Sequence, residues 1–116
     1  MNVQTIYEDT RANGGSSTDL LGKSPTTGYM VSIYPGRELS LYEEDFTPYA
    51  IANYIANHVE VLAREDHYLG TWNTNGLIYL DIALNVPKLE EALSLGLRHR
   101  QLAVFSVEEN ASIGVV

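Results

Sequence analysis

The chain has 116 residues, no cysteine, 45% hydrophobic residues and a net charge of −8 from fifteen Asp and Glu against seven Lys and Arg. That composition excludes thiol catalysis, thiolate metal sites and disulfide staples, and it disfavours direct binding to nucleic acid or to an anionic membrane. The opening MNVQTIYEDTR lacks the basic start and apolar stretch of a signal peptide, and no apolar run reaches bilayer length, so the expected location is the cytoplasm.

The first 27 residues pass through Asn13-Gly14-Gly15-Ser16-Ser17-Thr18 and then Ser24-Pro25-Thr26-Thr27. These are linker compositions, and Leu20 with Leu21 is too short an apolar spot to form a core element. Residues 1–27 therefore read as a flexible N-terminal arm that adds little stability, and residues 28–116 as a single domain. Gly22-Lys23-Ser24 echoes the end of a phosphate-binding loop, but position 17 is serine where that loop needs glycine.

Tyr29–Tyr34 alternates as a strand, with Tyr29, Val31 and Ile33 on one face. Pro35-Gly36 turns the chain, and Glu38–Leu41 reads as a short returning strand. A helix follows, with Thr47 as its cap and Pro48 at its first position, ending near Arg64. Its apolar stripe is Ile51, Ile55, Val59 and Leu62. Tyr68–Trp72 and Leu77–Leu84 form a hairpin around Asn75-Gly76, with Ile78, Leu80, Ile82 and Leu84 on one face. Leu77, Tyr79, Asp81 and Ala83 face the other way. A second helix starts at Pro87 with the stripe Leu89, Leu93 and Leu97, and Gly96 calls for a close approach to the sheet. Strands at Leu102–Val107 and Ile113–Val116 complete the pattern.

This order predicts an α+β fold, an antiparallel sheet with two helices on one face in the ferredoxin-like, split βαβ order. The opposite face then carries Tyr79, Asp81 and some of Phe105 or Trp72. Either the arm or a second copy in a homodimer is expected to cover it.

Catalytic and cofactor constellations do not assemble. His58, Asp66 and His67 lack the convergent spacing of a metal site, and no serine sits in a nucleophile elbow. Arg98-His99-Arg100 suits the negative end of a helix. The strands bearing Tyr79 and Phe105 contain no Lys or Arg, unlike RNA-binding sheets. No cofactor, no metal and no enzymatic activity are expected.

From Gly28 the segments GYMVSIYPGRE, YLGTW, GLIYLDIALNV and EEALSLGLRHRQLAVFSV resemble small uncharacterised proteins of phages and mobile elements of Gram-positive bacteria. The resemblance implies a bacterial host's cytoplasm and carries no activity or site residues. The composition and this context together suggest a non-enzymatic accessory protein that docks on a partner with a basic surface, such as an inhibitor of a host nuclease or defence complex. The residues expected to bind are Glu43, Glu44, Asp45, Glu65, Asp66, Trp72, Tyr79, Asp81 and Phe105. The alternative is a small-molecule-binding or regulatory domain acting as a dimer.

Overall fold

The computed structural model describes residues 1–115, and its first element lies inside the stretch expected to be a loose arm. Helix α1 (Val3–Asn13) is capped by the Asn2 side chain, which accepts from the N–H groups of Gln4 and Thr5, and it ends on Gly14 at φ 83°. Ile6 and Thr10, one turn apart, are buried on the same face, and Val3 and Tyr7 pack beside them. Strand β1 (Gly15–Thr18) then pairs antiparallel with β4 (His67–Thr74). Residues 3–18 are thus part of the fold rather than a flexible arm.

A short chain of hydroxyls fixes this N-terminal unit. Thr10 donates to the Ile6 carbonyl at 2.7 Å, which leaves its oxygen to accept from Thr71 at 2.5 Å, and Thr71 accepts from Ser16 at 2.9 Å. The Gly-Ser run that reads as linker is what permits the pairing. A Cβ on Gly15 would lie 2.7 Å from the Thr71 carbonyl oxygen.

Strands β2 (Tyr29–Ser32), β3 (Leu39–Tyr42), β5 (Leu77–Val86), β6 (Ala103–Ser106) and β7 (Ala111–Gly114) join β1 and β4 in one seven-stranded antiparallel sheet. Its order is β1-β4-β5-β2-β6-β7, with β3 also on β5. β3 does not return onto β2. Pro35 begins a 3₁₀ turn (Pro35–Arg37) instead of the tight loop that a hairpin needs, and the chain moves along β5. β5 takes both strands on one edge, β3 beside Leu77–Leu80 and β2 beside Ala83–Val86. The β4–β5 hairpin closes at Asn75 (φ 52°) and Gly76 (φ 84°), the two left-handed residues that a type I′ turn requires.

Helix α2 (Pro48–Leu62) starts as its sequence predicts, with the Thr47 hydroxyl accepting from the Ala50 N–H at 3.1 Å. The expected stripe fails at Val59, which is 45% exposed. His58 leaves helical geometry (φ −128°, ψ 16°), and beyond the kink Val61 is buried in place of Val59, alongside the expected Leu62. Helix α3 (Leu89–Arg98) begins after an N-cap at Lys88, so Pro87 lies outside it. Ala92 and Gly96 are its buried residues, whereas Leu97 is exposed. The expected close approach is present. A Cβ on Gly96 would lie 2.9 Å from Val115 and 3.2 Å from Val104.

Ile78, Leu80 and Ile82 bury against Ile6, Phe46, Ile51, Tyr54, Val61 and Leu62, and further along β5 Val86 packs with Val31, Ala92 and Val104. Alternate residues of a strand share a face, so α1, α2 and α3 all cover one side of the sheet. The fold is α+β with an antiparallel sheet, and it has one more helix on that side than expected. β1, β7 and, off the main path, β3 form the edges, and β7 carries exposed Ala111, Ser112 and Gly114. The last strand ends at Gly114, and the Val116 expected in it lies outside the described residues. Among the described residues, no helix is long and apolar enough to cross a membrane.

Candidate functional site

The side of the sheet away from the helices carries no layer of its own. α1 lies on the opposite side, and apart from β1 the N-terminal segment meets this face at its end, where the Thr27 carbonyl accepts from the Asn85 side chain at 2.9 Å. The strand registers lay out its side chains in rows. Gly15, Trp72, Tyr79 and Ser40 form one row, Ser17, Gly70 and Asp81 the next, and Tyr68, Ala83 and Ser32 the one after. Tyr42 and Leu77 extend the first end, and Asn85, Met30, Phe105 and Ser112 lie at the other.

Trp72 and Tyr79 are direct cross-strand neighbours, with ring centroids 5.3 Å apart and planes tilted by 30°. Such pairs stiffen a sheet face and present a broad aromatic surface. Trp72 is 51% and Tyr42 63% exposed, which is unusual for aromatics of this size.

Asp81 stands beside them. Ser32 donates to its Oδ2 at 2.5 Å, while Oδ1 leans over Gly70, where a Cβ would lie only 2.5 Å away. Glycine at position 70 therefore makes room for the carboxylate. Burial pushes the Asp81 carboxyl above its ordinary range, the Ser32 hydrogen bond opposes this, and the charge of Glu38 adds to it. Asp81 is the one acidic residue carried by any strand among the described residues, and all seven Lys and Arg lie outside the strands.

The nine expected binding residues do not form one surface. Glu43, Glu44 and Asp45 make a 3₁₀ turn directly after Tyr42, and Asn73 donates to Glu43 at 3.1 Å. Asn73 alternates with Trp72 along β4, so this contact draws Glu43 toward the helix side at the Trp72–Tyr79 end of the hairpin. Glu65 and Asp66 lie at the far end of the hairpin, where the Asp66 carbonyl accepts from the Asn85 N–H. The eight residue steps of β5 from Leu77 to Asn85 separate these ends by roughly 26 Å. Phe105 shares the face but stands three strands from Trp72, about 14 Å across the sheet. Tyr42, Ser32 and Gly70 belong to the site and escaped sequence reasoning. The Gly70–Asp81 pairing was available only from a correct hairpin register.

Two polar clusters lie elsewhere. The Arg37 guanidinium contacts His58 Nδ1 and Glu60 Oε1, each at 3.0 Å, and Tyr54 donates to the Arg37 carbonyl at 2.7 Å. This ties the 3₁₀ turn to the kink in α2. His67 Nδ1 donates to the Glu65 carbonyl at 2.7 Å, so in the neutral ring Nε2 accepts from the Tyr34 hydroxyl at 2.7 Å. Arg64 in turn donates to that hydroxyl at 3.2 Å. His58 and His67 thus have separate partners and do not converge.

Burial and the neighbouring Arg37 charge hold His58 below its ordinary pKa, with Glu60 partly opposing them. The unfolded chain then binds the proton more readily, so stability falls as pH drops below about 6.5. Thermal melts at pH 7.5 and 5.5 should show a smaller acid-induced loss in His58→Gln than in the wild type. An equal loss would remove His58 from the account.

No family model, curated protein or solved structure matches the chain.

Proposed function

We propose that this chain is a non-enzymatic protein-binding protein that docks on a partner with a basic surface through the face around Trp72, Tyr79, Tyr42 and Asp81. The observation that carries this reading is an open, aromatic sheet face with a single carboxylate in it, which the acidic turn Glu43–Asp45 follows directly after Tyr42. Exposed Trp and Tyr supply most of the binding energy in many interfaces, and opposite charge steers the encounter. Within this class, we favour an inhibitor that occupies the nucleic-acid groove of a host nuclease or defence complex. The chain would act in the cytoplasm of a bacterial host, encoded by a phage or mobile element. We further read β2, α2, β4, β5, α3 and β6 as a ferredoxin-like core to which α1, β1, β3 and β7 are additions.

Capture from host lysate on the immobilised chain tests the docking reading. A partner retained by the wild type should be lost from the Trp72→Ala/Tyr79→Ala variant and should elute as salt rises. A partner held equally well by both proteins would overturn the assignment of this face.

A further inference from the structure

The kind of partner is narrowed by the floor of the face, and, building on the docking reading above, we infer that Asp81 and Gly70 form a notch for an arginine side chain of that partner. The shape comes from small residues. Asp81 is neighboured on this face by Gly70, Ser17 beyond it, Ala83 and Ser32, and the larger Tyr68, Trp72 and Tyr79 stand around them. Because Gly70 has no Cβ, the carboxylate lies down over its backbone, and a side chain from outside meets Oδ1 across the low floor of small residues.

The charge selects a cation. Ser32 is the one hydrogen-bond donor to Asp81 among the described residues, and it occupies Oδ2. Oδ1 is left to a donor from outside, and no Lys or Arg of the strands competes for it. Asp81 is partly buried, and a charge-assisted hydrogen bond at Oδ1 is the interaction that best compensates a carboxylate for lost solvent.

Arginine fits better than lysine. A guanidinium is planar and weakly hydrated, so it can stack on the Trp72–Tyr79 pair while donating to Oδ1. The more strongly hydrated ammonium of lysine gains less from an aromatic wall. Two other occupants are disfavoured by the same atoms. A phosphate would meet the Asp81 charge, and a symmetric second copy would bring Asp81 against its own equivalent.

Trp72 is the only tryptophan, so its fluorescence reports on the notch in the intact chain. The probes are a short arginine peptide and a lysine peptide of equal length. General attraction to the net charge is common to both. The arginine peptide should bind about tenfold more tightly and change Trp72 emission more, because only it can stack and pair at once. Asp81→Asn, and independently Gly70→Ala, should reduce arginine binding to the lysine level while circular dichroism stays native. Equal responses to the two peptides, or an arginine preference that survives Asp81→Asn, would overturn the notch. If a captured partner still depends on Trp72 and Tyr79 in that event, the docking reading stands without it. If the arginine preference is found but no partner depends on this face, the docking reading is the one that fails.

Discussion

Deletion of residues 1–18 is expected to leave a chain that is largely unfolded or melts at least about 15 °C lower, because α1 and β1 form part of the main core. Ile6 fills the cluster around Phe46 and Leu80, and Tyr7 stacks on Phe46 with ring centroids 5.5 Å apart. Removing a buried isoleucine alone costs roughly 2–5 kcal/mol, and the deletion also strips a four-residue strand from β4. Set against a total stability of about 5–15 kcal/mol, that loss is decisive. Ile6→Ala in the full chain should give the roughly 2–5 kcal/mol share on its own. Chemical denaturation followed by circular dichroism measures both. A truncated protein with an unchanged midpoint would mean that the N-terminal unit is only an appendage.

Phe46→Ala should have the next largest effect, about 3–5 kcal/mol. Phe46 is almost wholly buried between α1 and α2, although it sits in a connecting segment. Its backbone N–H closes the preceding turn on the Tyr42 and Glu43 carbonyls, each at 3.2 Å. The side chain therefore anchors the turn that carries Glu43, Glu44 and Asp45. Hydrogen exchange should accelerate at Phe46 and through that turn more than at the far end of the sheet. A cost below about 1 kcal/mol would show that the cavity collapses without effect.

Asp81→Asn is expected to act in opposite directions on binding and stability. Because burial raises its carboxyl pKa, the folded state holds the Asp81 proton more tightly than the unfolded state does. The wild type thus loses stability as pH rises from the unfolded carboxylate range of about 3.9 through the folded value, and the variant escapes that loss. Its melting temperature should exceed the wild type's at pH 7, and the gap should close in acid. A variant less stable than the wild type at pH 7 would show that the Ser32 hydrogen bond outweighs desolvation.

Much of the β4–β5 hairpin was legible because Asn75-Gly76 fixes a turn and the turn fixes the register, which in turn places Trp72, Tyr79 and Asp81 on one face. Thr47 and Pro48 marked the start of α2 for equally local reasons. What local pattern could not reveal was pairing at a distance. β1 looks like a linker because glycine and serine are poor strand formers, yet close backbone approach to Thr71 requires small residues there. α1 looks too polar because only Val3, Ile6 and Tyr7 are large and apolar, and the buried Thr10 is satisfied by Thr71, sixty-one residues away. The kink at His58 shifted the buried stripe of α2, and helical periodicity alone assumes a straight helix. Glu43, Glu44, Asp45, Glu65 and Asp66 look like one set in sequence, but a hairpin holds its two ends apart, with Glu43–Asp45 at one end and Glu65 and Asp66 at the other.

The hairpin also has a consequence for how the molecule comes into being. Thr74 and Leu77 are paired across two residues, so β4 and β5 can zip together on the microsecond scale with almost no loop to close. β1, β2 and β3 can add to the hairpin's outer edges once β5 has formed, but the other edge of β2 must wait for β6, since Tyr29 also pairs with Ser106 near the other end of the chain. During synthesis the ribosome releases β1 and β2 long before that partner exists. The aromatic face is thus assembled early, in a sheet whose β2 edge stays unpaired until β6 emerges. Slow translation beyond Val86 would lengthen that interval, and the yield of soluble protein should depend on codon choice there more than in the first hundred nucleotides.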